Sequence, residues 1–377
     1  MQLTETVKLD IGSNEARLLN MAMKYYIDAV NSTVCLAVSG ISIAKFTSKD
    51  IDCALPSAIK NQIIRDSQSI VKKHYKFCRS AIKKNSWLLK HDKEATAKAP
   101  ALPVLKRPVL FINNQSFRIR NGCVEIPLLV DGKSKRLSFR CTVTARQQEI
   151  FDNHKLGTLR LVLKNRSIFA QVSYEEEECT ATGDAVMGVD LGIKCPAVSY
   201  ITDGSVKFYG NGRKNKYIRR HYAYLRKKLQ SSKHPEVVKH VNSKEQRIMK
   251  DIDHKISRQI VNEAIKHKVS VIKLETLNNI RNSTRKSRKN NHSIHTWSFY
   301  RLAGYIEYKA KLVGISVEYV NPAYTSQKCP KCGNIHHADD RSYVCACGYH
   351  AHRDIVGAIN ICASTERVGD SNIRHAA

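Results

Sequence analysis

Two short apolar runs in the second half of the chain each end on an acidic residue. Residues 186–189 lead into Asp190, and residues 269–274 lead into Glu275. A third acid, Asp354, opens a helix-like stretch just behind a cluster of cysteines. A carboxylate at the end of a strand projects into the crevice beyond the sheet, where α/β folds place their ligands. The sequence therefore predicts a mixed α/β domain in which these three side chains converge.

Three converging carboxylates create a negative pocket that is unfavourable until divalent cations fill it. Two Mg²⁺ ions about 3.5–4 Å apart can activate water and stabilise the departing oxygen of a phosphodiester. The competing interpretation makes Asp190 a turn residue and Glu275 a surface cap. That interpretation is favoured for either acid alone, whereas the three acids together in a strongly basic chain favour a metal site.

The chain carries a large excess of positive charge. Lys and Arg number 63 against 33 Asp and Glu, which gives a formal net charge of +30. Such a surplus predicts a polyanionic partner, nucleic acid first, with ribosome-like or histone-like binding and anionic membranes as competitors. No apolar run approaches the roughly 20 residues that span a bilayer, so no membrane partner is expected.

The cysteines indicate a compartment as well as a site. The start of the chain lacks the basic-then-apolar pattern of a signal peptide, so we expect a cytoplasmic protein. Disulfides are rare in a reducing cytoplasm. The 12 cysteines are therefore interpreted as scattered thiols plus one tight cluster, and not as a disulfide framework.

The cluster consists of two short knuckles, Cys329-Pro-Lys-Cys332 and Cys345-Ala-Cys347, each followed by glycine. Four thiolates at such spacing suit one tetrahedral Zn²⁺ ion, and glycine allows the tight backbone turn after a ligand. A four-cysteine site of this kind is usually structural, because it leaves no open position for water.

The second knuckle departs from the usual spacing, with one intervening residue where two are common. His336 or His350 is therefore an alternative to Cys345 as the fourth ligand. The cluster also stands close to the third acid, since Cys347 lies seven residues before Asp354. We expect a rigid zinc knuckle to fix where that carboxylate points, which would make zinc necessary for catalysis indirectly.

The spacing of apolar residues changes along the first half of the chain. Residues 15 to about 90 show helical spacing, and the Lys-, Ala- and Pro-rich interval 90–108 is typical of a linker. Between residues 109 and 174 the alternation indicates short strands, separated by turn pairs such as Asn121-Gly122 and Asp131-Gly132. Short strands at this spacing favour a small barrel.

From residue 185 onward, strands and helices alternate. Strands at 186–190, 197–201 and 206–209 are predicted to form a meander, with a hairpin turn at Asp203-Gly204. Helices at 214–230 and 241–268, the strand that ends at Glu275, a helix at 297–313, a strand at 316–320 and a helix at 355–361 follow. This order predicts a mixed sheet with helices packed on it.

Two basic segments are candidates for contacts with a phosphate backbone. Their residues are Arg219, Arg220, Arg226, Lys227 and Lys228 on one helical stretch, and Arg281, Arg285, Lys286, Arg288 and Lys289 in a Ser/Asn-rich loop after Glu275. A basic run is usually a solvated face or a flexible loop, and one run alone proves little. The second run follows a predicted metal site, where it could bind phosphates without reading sequence.

Five short motifs stand in a fixed order along the second half. They are Gly188-Val189-Asp190-Leu191-Gly192, Ile272-Lys273-Leu274-Glu275, Tyr324-Thr325-Ser326-Gln327, His352-Arg353-Asp354 and Ala358-Ile359-Asn360-Ile361. With these motifs the chain resembles the TnpB family of transposon-encoded RNA-guided nucleases, which are RuvC-like and related to type V CRISPR effectors. The resemblance is close over about residues 185–363, and the amino-terminal half matches in layout alone.

The resemblance implies an α+β multidomain fold. A helical recognition insertion and a β-barrel wedge domain would precede an RNase H/RuvC-like mixed α/β nuclease domain with an inserted zinc-binding knuckle. The implied boundaries are 1–14 for a first wedge strand, 15–100 for the recognition domain, 101–183 for the wedge domain, 184–363 for the nuclease domain with its knuckle at 324–352, and 364–377 for a disordered tail.

The resemblance also implies a function and partners. Asp190, Glu275 and Asp354 would form the catalytic Mg²⁺-binding triad of a prokaryotic RNA-guided DNA endonuclease. Its guide RNA would derive from the transposon end, and its target would be double-stranded DNA with a short adjacent motif. The presence of all three acids argues against the nuclease-inactive relatives that act as repressors.

Two alternatives stay open at this point. One is a guided DNA-binding repressor with an inactive centre, and the other is a guide-free RuvC-type resolvase or transposase. The oligomeric state is also open, with a monomer favoured.

Overall fold

The chain divides into two compact units, Met1–Glu176 and Glu177–Ala377. The structure is a computed structural model that describes residues 1–177, 179–181, 183–232, 235–277, 288–338 and 341–365. The predicted tail at 364–377 therefore lies outside the described residues from 366 onward. Each unit has its own sheet and its own apolar core.

The first unit is built on a seven-stranded antiparallel sheet. Its strands are β1 (Gln2–Leu9), β2 (Val109–Ile112), β3 (Arg118–Arg120), β4 (Cys123–Val130), β5 (Lys133–Thr142), β6 (Leu156–Lys164) and β7 (Ser167–Glu175). Their order is β2-β6-β7-β1-β5-β4-β3, so β2 and β3 are the edges of a half-barrel. The first strand of the chain thus lies in the middle, between strands that come more than a hundred residues later.

The turn pairs predicted from the sequence join strands of this sheet. Asn121 and Gly122 have φ values of 50° and 67°, and Asp131 and Gly132 have values of 54° and 73°. Two successive residues with positive φ make the tight turn whose twist matches that of the flanking strands. The hairpins β3–β4 and β4–β5 are confirmed.

Three helices complete the first unit: α1 (Ser13–Val38), α2 (Ser57–Leu89) and α3 (Ala145–Asn153). The helices α1 and α2 were expected from their apolar spacing, and α3 was not. Buried residues of α1, such as Met23 and Tyr26, share a core with β-strand residues such as Leu110 and Val172. The buried residues of α2 all lie in its first half, and its second half is mostly exposed.

The second unit contains a five-stranded mixed sheet. Its strands are β8 (Ala185–Asp190), β9 (Ala197–Ile201), β10 (Val206–Tyr209), β11 (Val269–Glu275) and β12 (Ser316–Val320), in the order β10-β9-β8-β11-β12. The antiparallel meander β8–β9–β10 is confirmed, and β11 pairs in parallel with both β8 and β12. Gly204 occupies the hairpin turn with a φ of 90°.

In the described parts of the second unit, five helices and a small hairpin accompany this sheet. They are α4 (Gly212–Ser231), α5 (Pro235–Lys266), α6 (Arg288–Thr296), α7 (Phe299–Lys311) and α8 (Arg353–Ala363), with β13 (Ser342–Val344) and β14 (His350–His352). The helix predicted at 297–313 begins two residues later, and α6 precedes it. The α+β multidomain architecture predicted from the sequence is confirmed by the two sheets and their helices. Among the described residues, no helix is long and apolar enough to cross a membrane.

Candidate metal centres

Two of the three acids lie side by side at the carboxyl ends of two inner strands of the five-stranded sheet. Asp190 is the last residue of β8 and Glu275 is the last residue of β11. The two strands are parallel neighbours, and Val189 pairs with Leu274 in their register. The backbone pairing therefore brings the two carboxylates to adjacent positions. Their convergence was expected because each acid ends an apolar run of the sequence.

The third acid reaches these strand ends on helix α8, which packs against β8. Asp354 is the second residue of α8, and its backbone N–H donates to the His352 ring nitrogen Nδ1 over 3.3 Å. A Cβ atom on Gly188 would lie 2.2 Å from the Ala358 carbonyl oxygen. A Cβ on Gly357, one helical turn after Asp354, would lie 3.0 Å from Asp190 Oδ2. Glycine on both sides lets the helix approach the strand closely.

The three acids influence one another electrostatically. Burial, followed by the charges of Glu275 and Asp354, raises the pKa of Asp190 well above its usual range, and Arg341 and Arg353 oppose the rise. Burial also raises the pKa of Glu275, against a hydrogen bond that the Thr325 hydroxyl donates to its carboxylate. Mutual repulsion of this kind is relieved by cations, and all-oxygen donors suit a hard divalent ion.

Asp354 is held by an arginine that the sequence did not single out. The Arg341 guanidinium contacts both carboxylate oxygens of Asp354, whose side chain is 14% exposed. Arg341 precedes β13 within the cysteine-containing segment, in a polar stretch where no local pattern marks it. Thr325, by contrast, contacts Glu275 and lies in the motif Tyr324-Thr325-Ser326-Gln327, which the sequence did single out.

The four cysteines form the tighter of the two clusters. Within the described parts of the chain, they are the group of potential ligands whose atoms all lie within 4.8 Å of one another. Cys329 Sγ lies 3.7 Å from Cys347 Sγ, and Cys332 Sγ lies 3.5 Å from Cys345 Sγ. A tetrahedral zinc with Zn–S bonds of about 2.3 Å would place its sulfurs about 3.8 Å apart. The donor set therefore fits one zinc ion.

The geometry of the knuckles bears on the fourth ligand. Cys345 belongs to the four-sulfur group, and the group contains neither of the two candidate histidines. His350 Nε2 instead forms a 2.9 Å hydrogen bond with the Ser342 hydroxyl. Gly333 and Gly348 follow the knuckles with φ values of 76° and 81°, and both donate to a cysteine carbonyl oxygen. The short second knuckle thus reaches the cluster without a histidine.

The cysteine cluster is packed directly on helix α8. Cys329, Tyr343 and Cys345 share a small buried core with Val356, two residues after Asp354. The backbone of β13 pairs with that of β14, which leads straight into the helix. The Asn360 side chain also donates to the Thr325 and Lys328 carbonyl oxygens over 2.6 and 2.7 Å. The knuckle and the third acid therefore form one connected piece of structure.

The basic candidate residues are only partly brought together. On α4, Arg220, Lys227 and Lys228 are exposed, Arg219 is half-buried, and Arg226 pairs with Glu245. Arg281, Arg285 and Lys286 lie outside the described residues, and the side chains of Arg288 and Lys289 at the start of α6 are likewise not described.

Comparisons with known proteins cover most of both units. The family model "Cas12f1-like, TNB domain" matches residues 299–361, and the model "Probable transposase" (OrfB_IS605) matches residues 169–281. A TnpB-like protein of Methanocaldococcus jannaschii is 28% identical over 260 residues, 64% of this chain and 91% of that protein. A putative transposase of the same organism is 37% identical over 79 residues, 18% of this chain and 72% of its own length.

Two Cas12f1 comparisons extend the match. A CRISPR-associated endodeoxyribonuclease Cas12f1 of Sulfoacidibacillus thermotolerans is 30% identical over 213 residues, 51% of this chain and 49% of the relative. The chain thus spans about half the length of that relative. A cryo-EM structure of a Cas12f1–sgRNA–target DNA complex contains a chain with a TM-score of 0.70 at 15% identity, covering 95% of this chain and 84% of the other.

A half-barrel sheet, a mixed sheet with acids at its edge and a four-cysteine knuckle define a multidomain α/β protein with the Cas12f fold. Within that class, the chain belongs to the TnpB family.

Proposed function

We propose that this protein is an RNA-guided DNA endonuclease whose hydrolytic centre is formed by Asp190, Glu275 and Asp354. The observation that carries the proposal is the meeting of these acids from β8, β11 and α8 at one sheet edge, where their charges interact. Family membership and the net charge of +30 support a nucleic-acid substrate. The Cas12f1 relative is itself named an endodeoxyribonuclease.

The three carboxylates would hold two Mg²⁺ ions. When bound, such a pair activates water and stabilises the oxygen that leaves the phosphodiester. The protein's own residues orient the ligands: Thr325 donates to Glu275, and Arg341 neutralises Asp354. Each carboxylate oxygen has two lone pairs, so Asp354 can keep its contacts with Arg341 and still offer a lone pair to a cation.

The four cysteines would hold one structural zinc ion. Their role is to fix the segment that carries Arg341 and leads through β14 into Asp354. A closed four-sulfur site leaves no position for a reacting water, so the zinc takes no part in hydrolysis itself.

The proposed partners are a guide RNA derived from the transposon end and double-stranded DNA with a short adjacent motif. In such effectors base pairing supplies sequence specificity, and the protein binds the backbone and the shape of the duplex. The fold match to a chain in a Cas12f1–sgRNA–target DNA complex supports both partners in general terms. The basic residues of α4 and of the segment 281–289 are the proposed phosphate contacts.

The proposed division of labour follows the layout of the sequence. The helices between 15 and 100 form a recognition domain, and residues 1–14 with 101–183 form the wedge domain. Residues 184–363 form the nuclease domain, and the segment 324–352 is its zinc-binding insertion.

Purified protein tests this proposal. We expect RNA of defined sequence to co-purify, and the complex to cut matched double-stranded DNA when Mg²⁺ is added. Asp190→Ala should bind the same DNA without cutting it, because one lost ligand empties a metal position without unfolding the sheet. Asp184→Ala is the matched control, since this exposed acid lies just before the same strand. Full cleavage by Asp190→Ala would refute the assignment.

A second candidate function is supported by the description of one family model, "Probable transposase", over residues 169–281. A guide-free transposase or resolvase would act on DNA ends or branched DNA. It would do so without bound RNA. Cleavage of such substrates by RNA-free protein, with none of matched linear targets, would favour this candidate.

A further inference from the structure

A cavity of about 160 Å³ lies in the second unit beside the loop that follows Asp190. Gly192 and Ile193 form one side of it, and Met249, Trp297 and Leu302 supply apolar walls. Met249 and Leu302 are each 3% exposed, so these walls belong to the packed core and hold their shape. The cavity is therefore lined by residues of α4, α5, α6 and α7, and part of its apolar wall belongs to the packed core.

The mouth of the cavity is basic. Lys216, Arg219 and Arg220 all line it from helix α4. Among the lining residues that the structure describes, Asp253 is the one carboxylate, and it already accepts hydrogen bonds from Arg301 Nε and from the Ser298 hydroxyl, each over 2.8 Å. The cations of α4 therefore face the cavity with no further carboxylate among its described lining residues.

Arg219 is the cation best placed to bind a ligand. It also lines a second cavity that shares Met249 and Trp297 with the first. Burial lowers the pKa of its guanidinium, which nevertheless stays charged at neutral pH. No hydrogen bond or ion pair joins this guanidinium to another side chain in the described ranges of the protein. The charges of Glu245 and Asp253 act on this guanidinium, but neither carboxylate is hydrogen-bonded to it. A half-buried guanidinium without such a bond suits a phosphate, which it can bind with two parallel hydrogen bonds.

The size and walls of the cavity restrict its occupant. A volume of about 160 Å³ corresponds to roughly five water molecules, well below the about 300–1,000 Å³ of pockets for drug-sized ligands. One planar ring system fits that space. Stacking of a nucleobase on an aromatic side chain is sequence-tolerant and is a recurrent way to hold single strands. An indole inside a small basic-rimmed cavity thus matches one base with its phosphate.

The cavity also lies close to the carboxylates. Gly192 is two residues after Asp190, and two residues of chain span at most about 7 Å. The thiol of Cys195, in the same loop, lies near enough to Asp354 and Asp190 for their charges to act on it. Phosphates along one strand of a duplex are spaced by about 3.4 Å of axis. A base in the cavity therefore belongs within a few nucleotides of a phosphate at the acids.

We propose that this cavity binds one unstacked nucleobase of the DNA strand that is presented to the three carboxylates, with Arg219 on its phosphate. The inference rests on the proposed nuclease function and adds to it a base-binding position beside the cut. It gives the centre a means to fix the register of the strand, independently of pairing with a guide.

Tryptophan fluorescence tests this proposal without any cleavage step. The chain has two tryptophans, so Trp87→Phe leaves Trp297 as the single reporter. In a background that also carries Asp190→Asn, the full-length protein with its co-purifying RNA is titrated with a short single-stranded oligothymidylate. We expect saturable quenching of Trp297. Thr296 also lines the cavity, so Thr296→Phe puts a ring into it. This variant should weaken binding roughly 5- to 150-fold, the range expected for one lost stacked base.

Controls separate a blocked cavity from a misfolded one. Thr296→Ser keeps the hydroxyl that donates to the His292 carbonyl oxygen and leaves the space free, so its quenching should match the parent. Arg219→Gln, which adds no bulk, should also weaken binding and flatten its salt dependence.

Three results would overturn the proposal. The first is DNA binding, measured by anisotropy of a labelled oligomer, without a change in Trp297 fluorescence. The others are quenching that Thr296→Phe leaves intact, and quenching by an RNA oligomer of the same length but not by the oligothymidylate. The outcomes also separate the two levels of inference. Quenching without cleavage of any matched target would leave the base site standing and refute the nuclease. If Thr296→Phe left cleavage unchanged and DNA did not quench Trp297, the nuclease function would stand and the base site would be refuted.

Discussion

Replacement of Gly188 by alanine tests whether the contact between β8 and α8 positions the acids. The added Cβ would lie 2.2 Å from the Ala358 carbonyl oxygen and 2.4 Å from the Cys362 backbone nitrogen. Atoms in contact prefer about 3.5–4.0 Å, so the helix must move away by about 1 Å or more. Both obstructing atoms belong to the backbone of α8, and no side-chain rotation can relieve the clash.

The loss of stability caused by Gly188→Ala follows from this geometry. Overpacking of a core usually destabilises by about 1–3 kcal/mol, and a clash with helix backbone belongs at or beyond the upper end. For a unit of this size, about 3 kcal/mol lowers the melting temperature by roughly 6–12 °C. A 1 Å displacement of the helix that carries Asp354 should also lower the cleavage rate about 100-fold, because catalytic groups tolerate little misplacement.

Thermal unfolding and cleavage rates, measured on the same preparations, give the result. The matched control is Gly304→Ala in α7, where an added Cβ would meet nothing within 4 Å. Alanine is the better helix former, so this variant should gain about 0.4–1 kcal/mol and keep its activity. If Gly188→Ala melted with the parent and cut DNA at its rate, the close approach of α8 to β8 would not be what holds the centre together.

Three further predictions concern charge and metal. The raised pKa of Asp190 means that the folded protein binds its proton more tightly than the unfolded chain, so stability without Mg²⁺ falls as pH rises above about 4. Asp190→Asn should remove part of that fall and raise the melting temperature near pH 7 in magnesium-free buffer, and an unchanged pH profile would contradict this cause. Cys332→Ser should lower the zinc content from one ion per chain, measured by atomic absorption, and abolish cleavage, whereas exposed Cys35→Ser should do neither. Affinity for RNA should fall steeply between about 50 and 200 mM salt, and a flat dependence in filter binding would exclude the basic surface as the interface.

The positions of Asp190 and Glu275 could be predicted because the relevant information is local. Each acid ends a run of apolar residues, and parallel strands of a buried sheet bring such ends to the same edge. The hairpin turns at Asn121-Gly122 and Asp131-Gly132 could also be predicted from the sequence. Such turns need positive φ at two successive positions, and Asn-Gly and Asp-Gly pairs adopt it readily.

Other features depend on long-range packing that local patterns do not encode. Arg341 stands in a polar stretch, and it meets Asp354 because the backbone N–H of Arg353 donates to the Arg341 carbonyl oxygen and β13 pairs with β14. The cavity beside Gly192 is assembled from helices far apart in sequence. Helix α3 differs, because the sequence does mark its start. Thr144 followed three residues later by Gln147 is a capping box, which predicts a helix there.

The arrangement of the two clusters has an energetic logic. Gathering the three acids costs stability, as the raised pKa values of Asp190 and Glu275 show. A structural zinc site contributes folding free energy of its own, and the cysteine cluster packs through Val356 on the same helix that carries Asp354. A zinc ion bound by the four cysteines would thus stabilise the helix that carries Asp354, next to the destabilised acids. For this reason, loss of zinc should first disorder the segment that positions the acids. The half-barrel unit should stay folded, because it has a separate core.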